Sequence, residues 1–80
     1  MVIFEPKGVC SKKISFEVEN NKVKFIEFEG GCNGNLQGLS KLLIGMDVKE
    51  AISRLKGIKC GSKNTSCPDQ TAIALQSVLK

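Results

Sequence analysis

The sequence lacks histidine, tryptophan and tyrosine altogether. Without histidine, any metal ligand or nucleophile must come from other side chains, which narrows the available chemistry. Few aromatic rings remain for stacking on nucleic-acid bases, because the four phenylalanines are expected in the core. The lysines are scattered and many lie among acidic residues, so nucleic-acid binding is not expected despite a formal net charge of +4.

Long apolar runs are also missing, and the first seven residues already include a glutamate, a proline and a lysine. The sequence therefore predicts neither a secretory signal nor a membrane-spanning segment, and we expect a cytoplasmic protein. Hydrophobic residues make up 41% and charged residues 25%, a composition typical of folded chains. The length predicts a single domain over residues 1–80, small enough to benefit from a covalent or metal staple.

Alternating apolar and polar residues predict an antiparallel hairpin in the N-terminal half. Residues 13–19 and 22–29 are the two expected strands, and two asparagines between them suit a tight turn. Residues 2–4 are a candidate third strand. Matching apolar and charged partners predicts the pairs Glu19 with Lys22, Val18 with Val23, Glu17 with Lys24, and Phe16 with Phe25. The alternation then slips, which predicts a bulge near Phe25 and Ile26 and places Ile14 opposite Phe28.

Three helices are expected to cover this hairpin or three-stranded sheet, so the predicted fold class is α+β. The first covers residues 36–44 with Asn35 as its cap, and the second lies between a capping Asp47 and a terminating Gly57. The third covers residues 68–79 and carries Asp69 in its first turn. Its residues expected to face the sheet are Ala72, Ile73, Leu75, Val78 and Leu79.

Four cysteines lie outside the predicted core positions, so they are not explained as small apolar fillers. Cys10 precedes the first hairpin strand, Cys32 and Cys60 lie in glycine-containing loops, and Cys67 begins the last helix. The positive end of that helix favours a thiolate at Cys67. Neighbouring residues that let the backbone curl around a sulfur atom are Gly31, Asn33, Gly34 and Gly61.

Three uses of four cysteines are common in so small a chain: disulfides, a metal site and a redox pair. A reducing compartment disfavours structural disulfides. Intervals of 21, 27 and 6 residues contain no Cys-x-x-Cys, so they match neither a zinc ribbon nor a thioredoxin-type pair. A closed tetrahedral site of Cys10, Cys32, Cys60 and Cys67 needs no histidine and suits zinc, with iron as the alternative.

Two other functions remain open from the residues alone. In the first, the chain is a thiol redox protein in which Cys67 attacks and Cys60 resolves. In the second, residues 30–35 form an anion cradle for a nucleotide or phosphate, although they match neither the P-loop nor the dinucleotide fingerprint. For Asp69, a favourable interaction with the helix dipole is a simpler interpretation than direct metal ligation.

Three segments carry a family resemblance: GCNGN at residues 31–35, GIKCG at 57–61 and TSCPD at 65–69. Together they resemble the TSCPD-domain family, in particular its small stand-alone members, from about Cys10 to the end of the chain. The resemblance implies metal binding through Cys32, Cys60 and Cys67, together with Cys10.

The same domain type occurs near the carboxyl end of adenosylcobalamin-dependent ribonucleotide reductases. The resemblance therefore implies a protein partner such as a ribonucleotide reductase, and a role in deoxyribonucleotide biosynthesis. Those enzymes rely on a large α/β barrel with a radical cysteine and a cobalamin site, which 80 residues cannot contain. Reductase activity of the chain itself is therefore not expected.

Overall fold

The computed structural model describes residues 1–9, 11–31 and 33–79, with the exception of the Asn33 side chain. Its N-terminal half is a three-stranded antiparallel sheet of β1 (Val2–Phe4), β2 (Ser11–Glu19) and β3 (Lys22–Gly30), in the order β1-β2-β3. Asn20 and Asn21 connect β2 to β3 with φ angles of 54° and 63°, as a tight hairpin turn requires. The predicted sheet and the α+β class are confirmed.

The register agrees with the prediction at the turn and then departs from it. Glu19 pairs with Lys22 and Val18 with Val23, but Glu17 then pairs with Phe25 and Phe16 with Ile26. The predicted pairs Glu17 with Lys24 and Phe16 with Phe25 are therefore wrong, because Lys24 is the extra residue of a bulge that lies earlier than expected. This position brings both Val23 and Ile26 into the core. The predicted pair Ile14 with Phe28 is confirmed.

Lys24 forms ion pairs in spite of the changed register. Its Nζ atom lies 2.8 Å from a Glu19 carboxylate oxygen and 3.6 Å from one of Glu17. The hydrogen bond from Lys24 lowers the pKa of Glu19. Lys24 therefore has no cross-strand partner among the described residues of the sheet, but its side chain still forms ion pairs with two glutamates.

Helix α1 (Asn33–Leu43) begins three residues before the predicted start. Asn35 lies inside this helix, so its predicted role as the cap is wrong. The reason is that the chain already turns at Gly30, the last residue of β3, and at Gly31, which have φ angles of 81° and 77°. Beyond the helix, Gly45 has a φ of 90° and donates its N–H to the Val23 carbonyl at 2.7 Å.

Helix α2 (Val48–Leu55) is capped by Asp47, as predicted. The Asp47 side chain accepts hydrogen bonds from the N–H groups of Lys49 at 2.9 Å and Glu50 at 3.3 Å. The Glu50 carboxylate accepts from Arg54. Gly57 follows with a φ of 86°, consistent with its predicted role in ending the helix.

Helix α3 (Cys67–Ser77) has Ser66 as its N-cap and starts one residue before the predicted bound. The prediction that Ile73 faces the sheet is wrong, since this side chain is 43% exposed. Ala72 and Ala74 are both buried although they lie on different sides of the helix, so α3 is packed around much of its circumference and their small side chains allow close approach.

The core lies between one sheet face and the three helices. The twelve residues of its main cluster are Ile14, Phe16, Val23, Ile26, Leu43, Val48, Ala51, Ile52, Leu55, Ala72, Ala74 and Leu75. Among the described residues, no helix is long and apolar enough to cross a membrane.

Candidate functional site

A cavity of about 530 Å³ lies between α1 and the segment that leads into α3. Two of the four cysteines, Cys60 and Cys67, line it together. Both are free thiols, with Cys60 exposed and Cys67 half-buried. The rest of its lining is Val9, Gly34, Asn35, Leu36, Gly38, Leu39, Leu42, Lys63, Ser66 and Pro68.

Cys67 is held in place by the start of α3. The Ser66 hydroxyl accepts a hydrogen bond from the Asp69 N–H at 3.1 Å and donates one to the Ile58 carbonyl at 2.7 Å. One turn further on, the Thr71 hydroxyl donates to the Cys67 carbonyl at 2.8 Å. Ser66 therefore both caps α3 and ties it to the segment after α2.

Asp69 joins the two ends of the loop that carries Cys60. Its Oδ1 atom accepts the Gly57 N–H at 2.8 Å, and its Oδ2 atom accepts the Thr65 hydroxyl at 2.5 Å. These hydrogen bonds hold the pKa of Asp69 below its ordinary value, and the bond from Thr65 has the larger effect. Asp69 therefore holds the two ends of the loop together, in addition to its predicted favourable interaction with the helix dipole.

Thr65 and Gln70 extend this network to the N-terminal segment. The Gln70 amide donates to the Thr65 hydroxyl oxygen at 3.0 Å and accepts the Lys7 N–H at 3.2 Å. Gln70 is buried, so its two bonds satisfy polar groups that would otherwise be costly. The network thus connects α3, the Cys60 loop and the segment before β2.

The loop around Cys60 is a compact turn. Cys60 donates its N–H to the Thr65 carbonyl at 3.2 Å, and its own carbonyl accepts the Lys63 N–H at 3.0 Å. Gly61 follows with a φ of 58°, a conformation that glycine adopts without strain. Gly61 therefore lies in a turn beside Cys60, and its role in curling the backbone around the sulfur stays a prediction.

Ser11 is a site residue that the sequence analysis did not identify. Its hydroxyl is buried and donates to the Cys67 sulfur at 3.4 Å. Its backbone lies against Gly31, where an added Cβ atom would be 3.2 Å from the Ser11 nitrogen. The available signal was a serine directly after a cysteine, two residues before the predicted strand of residues 13–19.

The other predicted site residues are distributed as follows. Cys10 and Cys32 lie outside the described residues, and so does the side chain of Asn33. Gly34 lines the cavity but belongs to the first turn of α1, so its predicted place in a turn before the helix is wrong. Helix α1 starts at Asn33. Of the supporting residues predicted around Cys32, Gly31 therefore lies before the helix.

The anion cradle predicted over residues 30–35 has a different shape from the expected loop, because its last three residues are helical. Within the described part of the chain, no group of three or more cysteine, aspartate or glutamate side chains is placed to hold a metal ion. Only two of the four predicted ligands are described, so the four-cysteine site stays a prediction.

A family model described as the TSCPD domain matches residues 3–79. The matched region contains both described cysteines and the Asp69 network. No match was found among curated proteins or among solved structures. The family match therefore rests on nearly the whole chain, and it agrees with the resemblance of the three sequence segments.

Proposed function

We propose that this chain, which belongs to the TSCPD-domain family, is a small metal-binding module. The proposed ligands of its single zinc ion are Cys10, Cys32, Cys60 and Cys67. The observation that carries the proposal is that Cys60 and Cys67 line a single cavity. Two thiols at one cavity are half of the ligand set of a tetrahedral zinc site.

The described neighbours of the other two cysteines support the same location. Val9 lines the cavity, and the Ser11 hydroxyl contacts the Cys67 sulfur. The described residues on both sides of Cys10 therefore line this cavity or contact Cys67. Gly31, which precedes Cys32, lies close to Ser11, and Gly34, two residues after Cys32, lines the cavity.

The donor chemistry suits zinc. Thiolates are soft ligands that bind zinc in closed tetrahedral shells, and iron can use the same set. When bound, the ion supplies folding free energy by crosslinking segments that are distant in sequence. The Ser11 hydroxyl would orient the Cys67 sulfur, and the Asp69 network would keep the Cys60 loop in place.

We infer that the module is non-catalytic and works in the cytoplasm with a protein partner. The family resemblance implies a ribonucleotide reductase as that partner, and hence a place in deoxyribonucleotide biosynthesis. The two described cysteines are free thiols, which is compatible with a cytoplasmic location. Native mass spectrometry with the purified reductase subunit from the same source tests the partnership directly, and persistence of the free module at every concentration would contradict it.

The metal proposal is tested by elemental analysis combined with native mass spectrometry. We expect one equivalent of zinc per chain, and we expect its loss or weakening when any one of the four cysteines is replaced by serine. Ser77→Ala is a matched control, because Ser77 bonds only to the Ala74 carbonyl of its own helix among the described contacts. Less than about half an equivalent of any transition metal in a folded wild-type chain contradicts the proposal.

A second candidate function is a thiol redox carrier, favoured by the same pair of free thiols at one cavity. Oxidation would convert Cys60 and Cys67 to a disulfide and pass two electrons and two protons to an external disulfide acceptor. Alkylation counting on metal-free protein, before and after mild reduction, separates the two functions. An unchanged count of four thiols removes the support for a redox pair.

A further inference from the structure

The cavity that the two thiols line is also lined by aliphatic side chains. Leu36, Leu39 and Leu42 of α1 lie there, and Leu42 is 73% exposed. A leucine so exposed at the border of an apolar cavity costs hydration free energy that a bound apolar group would recover. Pro68 of α3 also lines the cavity. Among the described lining residues there is no aromatic ring.

The chain segment that carries Cys60, a lining residue of this cavity, is rich in positive charge. Between Glu50 and Asp69 the sequence has four basic residues and no acidic one. Arg54 pairs with Glu50, but Lys59 and Lys63 form no salt bridge within the described part of the chain. Both are exposed, and Lys63 lines the cavity itself.

We propose that this cavity docks an acidic segment of a partner protein. An apolar side chain of that segment would enter between Leu42 and Pro68, while its carboxylates would lie against Lys59 and Lys63. The inference rests on the proposed function for the existence of a partner, and it specifies the chemistry by which that partner is recognised. Aliphatic anchoring with complementary charge at the rim is a typical arrangement of protein interfaces.

Two other occupants fit the surface less well. Single-stranded nucleic acid binds through aromatic stacking as well as positive charge, and the described lining offers aliphatic side chains instead. A second copy would have to present acids such as Glu27 and Glu29 of β3 to this cavity. That contact joins two different surfaces, so it would produce closed rings or open chains of molecules.

The test uses the full chain with its native metal and a fluorescein-labelled peptide of glutamate and leucine residues. Fluorescence anisotropy at low ionic strength is expected to show saturable binding that weakens as salt is added. We expect Leu42→Ser, and separately the double change Lys59→Glu with Lys63→Glu, to weaken binding about tenfold or more. A peptide with serine in place of leucine should bind equally poorly.

Matched controls separate a specific surface from general charge. Ile73→Ser replaces an exposed apolar residue of α3 that does not line the cavity, and Lys12→Glu with Lys49→Glu reverses two exposed lysines elsewhere. These controls should leave peptide affinity within about twofold of wild type. Equal weakening by the controls, or equal competition by a single-stranded RNA of the same charge, would overturn the inference.

The outcome is distinguishable from failure of the proposed function, because zinc content is measured on every sample. If the chain retains zinc but does not bind the peptide, the docking inference is contradicted and the zinc proposal is not. Peptide binding by a folded chain without metal would sink the zinc proposal and leave the docking surface standing. Self-association that Lys59→Glu with Lys63→Glu abolishes, without any peptide binding, would assign the surface to a second copy and overturn the inference.

Discussion

The hydroxyl of Ser11 donates a hydrogen bond to the sulfur of Cys67 at 3.4 Å, although the two residues are 56 positions apart. Ser11 is 3% exposed and Cys67 is half-buried, so the bond is partly shielded from water. It joins the first residue of β2 to the first residue of α3. Under the proposed function, this hydroxyl orients a metal ligand without contacting the metal.

Replacing Ser11 by alanine is expected to weaken metal binding while the fold persists. The substitution removes one donor to the sulfur and leaves a similar volume, so the folded structure should remain. Loss of such an orienting hydrogen bond typically lowers metal affinity by about 10-fold to 100-fold. Competition with a chromophoric chelator measures this change.

Ser77→Ala controls for the loss of a hydroxyl, since its bond to the Ala74 carbonyl lies at the far end of α3. Ser11→Thr tests the hydroxyl from the other direction, because it keeps the donor but adds a methyl group in a buried position. Equal metal affinity of Ser11→Ala and wild type would show that the Ser11 bond does not orient a ligand.

Gly31→Ala is expected to destabilise the protein. The φ of Gly31 is 77°, and an added Cβ atom would lie 2.8 Å from Cδ1 of Leu36. Left-handed strain of about 1–2 kcal/mol would add to the cost of moving Leu36. Urea unfolding at constant zinc concentration measures the difference in free energy.

Gly38→Ala is the matched control for that measurement. Gly38 lies inside α1, where an added Cβ atom would meet nothing within 4 Å. Alanine has the higher helix propensity, so a gain of up to about 1 kcal/mol is expected. Similar stability changes for the two substitutions would contradict the strain assigned to Gly31.

Much of the fold could be predicted from the sequence because local patterns and tertiary packing agree. The Asn20 and Asn21 turn, the Asp47 cap and the end of α2 all have short-range chemical signals. The bulge at Lys24 could not be placed, since it depends on bringing Val23 and Ile26 to the same buried face. The start of α1 was misplaced for a similar reason, because two glycines shortened the turn before it.

The site was less predictable because its contacts join distant segments. A thiol pair at one cavity could be expected from the positions of Cys60 and Cys67 in glycine-rich or helix-start surroundings. The Ser11 bond spans 56 positions and depends on how β2 packs against α3, which no local pattern specifies. The Asp69 bond to the Gly57 N–H likewise depends on the path of the loop between them.

Asp69→Ala is expected to loosen the loop that carries Cys60. It removes the acceptors of the Gly57 N–H and the Thr65 hydroxyl, at a cost of about 1–3 kcal/mol. Hydrogen exchange of the Gly57 amide should accelerate on the order of tenfold or more. The control Glu50→Ala removes an exposed carboxylate whose pair with Arg54 contributes only about 0.5 kcal/mol.

The zinc affinity of Asp69→Ala tests whether the same bonds support the site. A mobile Cys60 loop must be ordered when the ion binds, so affinity should fall together with the loss of Gly57 protection. Unchanged exchange at Gly57 would show that the carboxylate does not fasten this loop.

The Asp69 carboxyl should also make the free energy of unfolding depend on pH in the acidic range. Hydrogen bonds from Thr65 and Gly57 favour its charged form, so its pKa in the folded protein lies below the ordinary value of about 3.9. For a lowered carboxyl pKa, the stabilisation is fully present above the unfolded value. It is lost as the pH falls from about 4 through the lower folded value.

A carbon-detected NMR titration of the Asp69 carboxyl measures this pKa shift directly. The measurement is therefore not confused with the loss of zinc that occurs when acid protonates the thiolate ligands. The first cause of the lowered pKa is the Thr65 hydroxyl, so Thr65→Val should raise the midpoint toward the ordinary value. Thr65→Ser keeps the hydroxyl and should leave the midpoint near that of wild type. If valine and serine at this position gave the same midpoint, the Thr65 bond would not be the main cause of the shift.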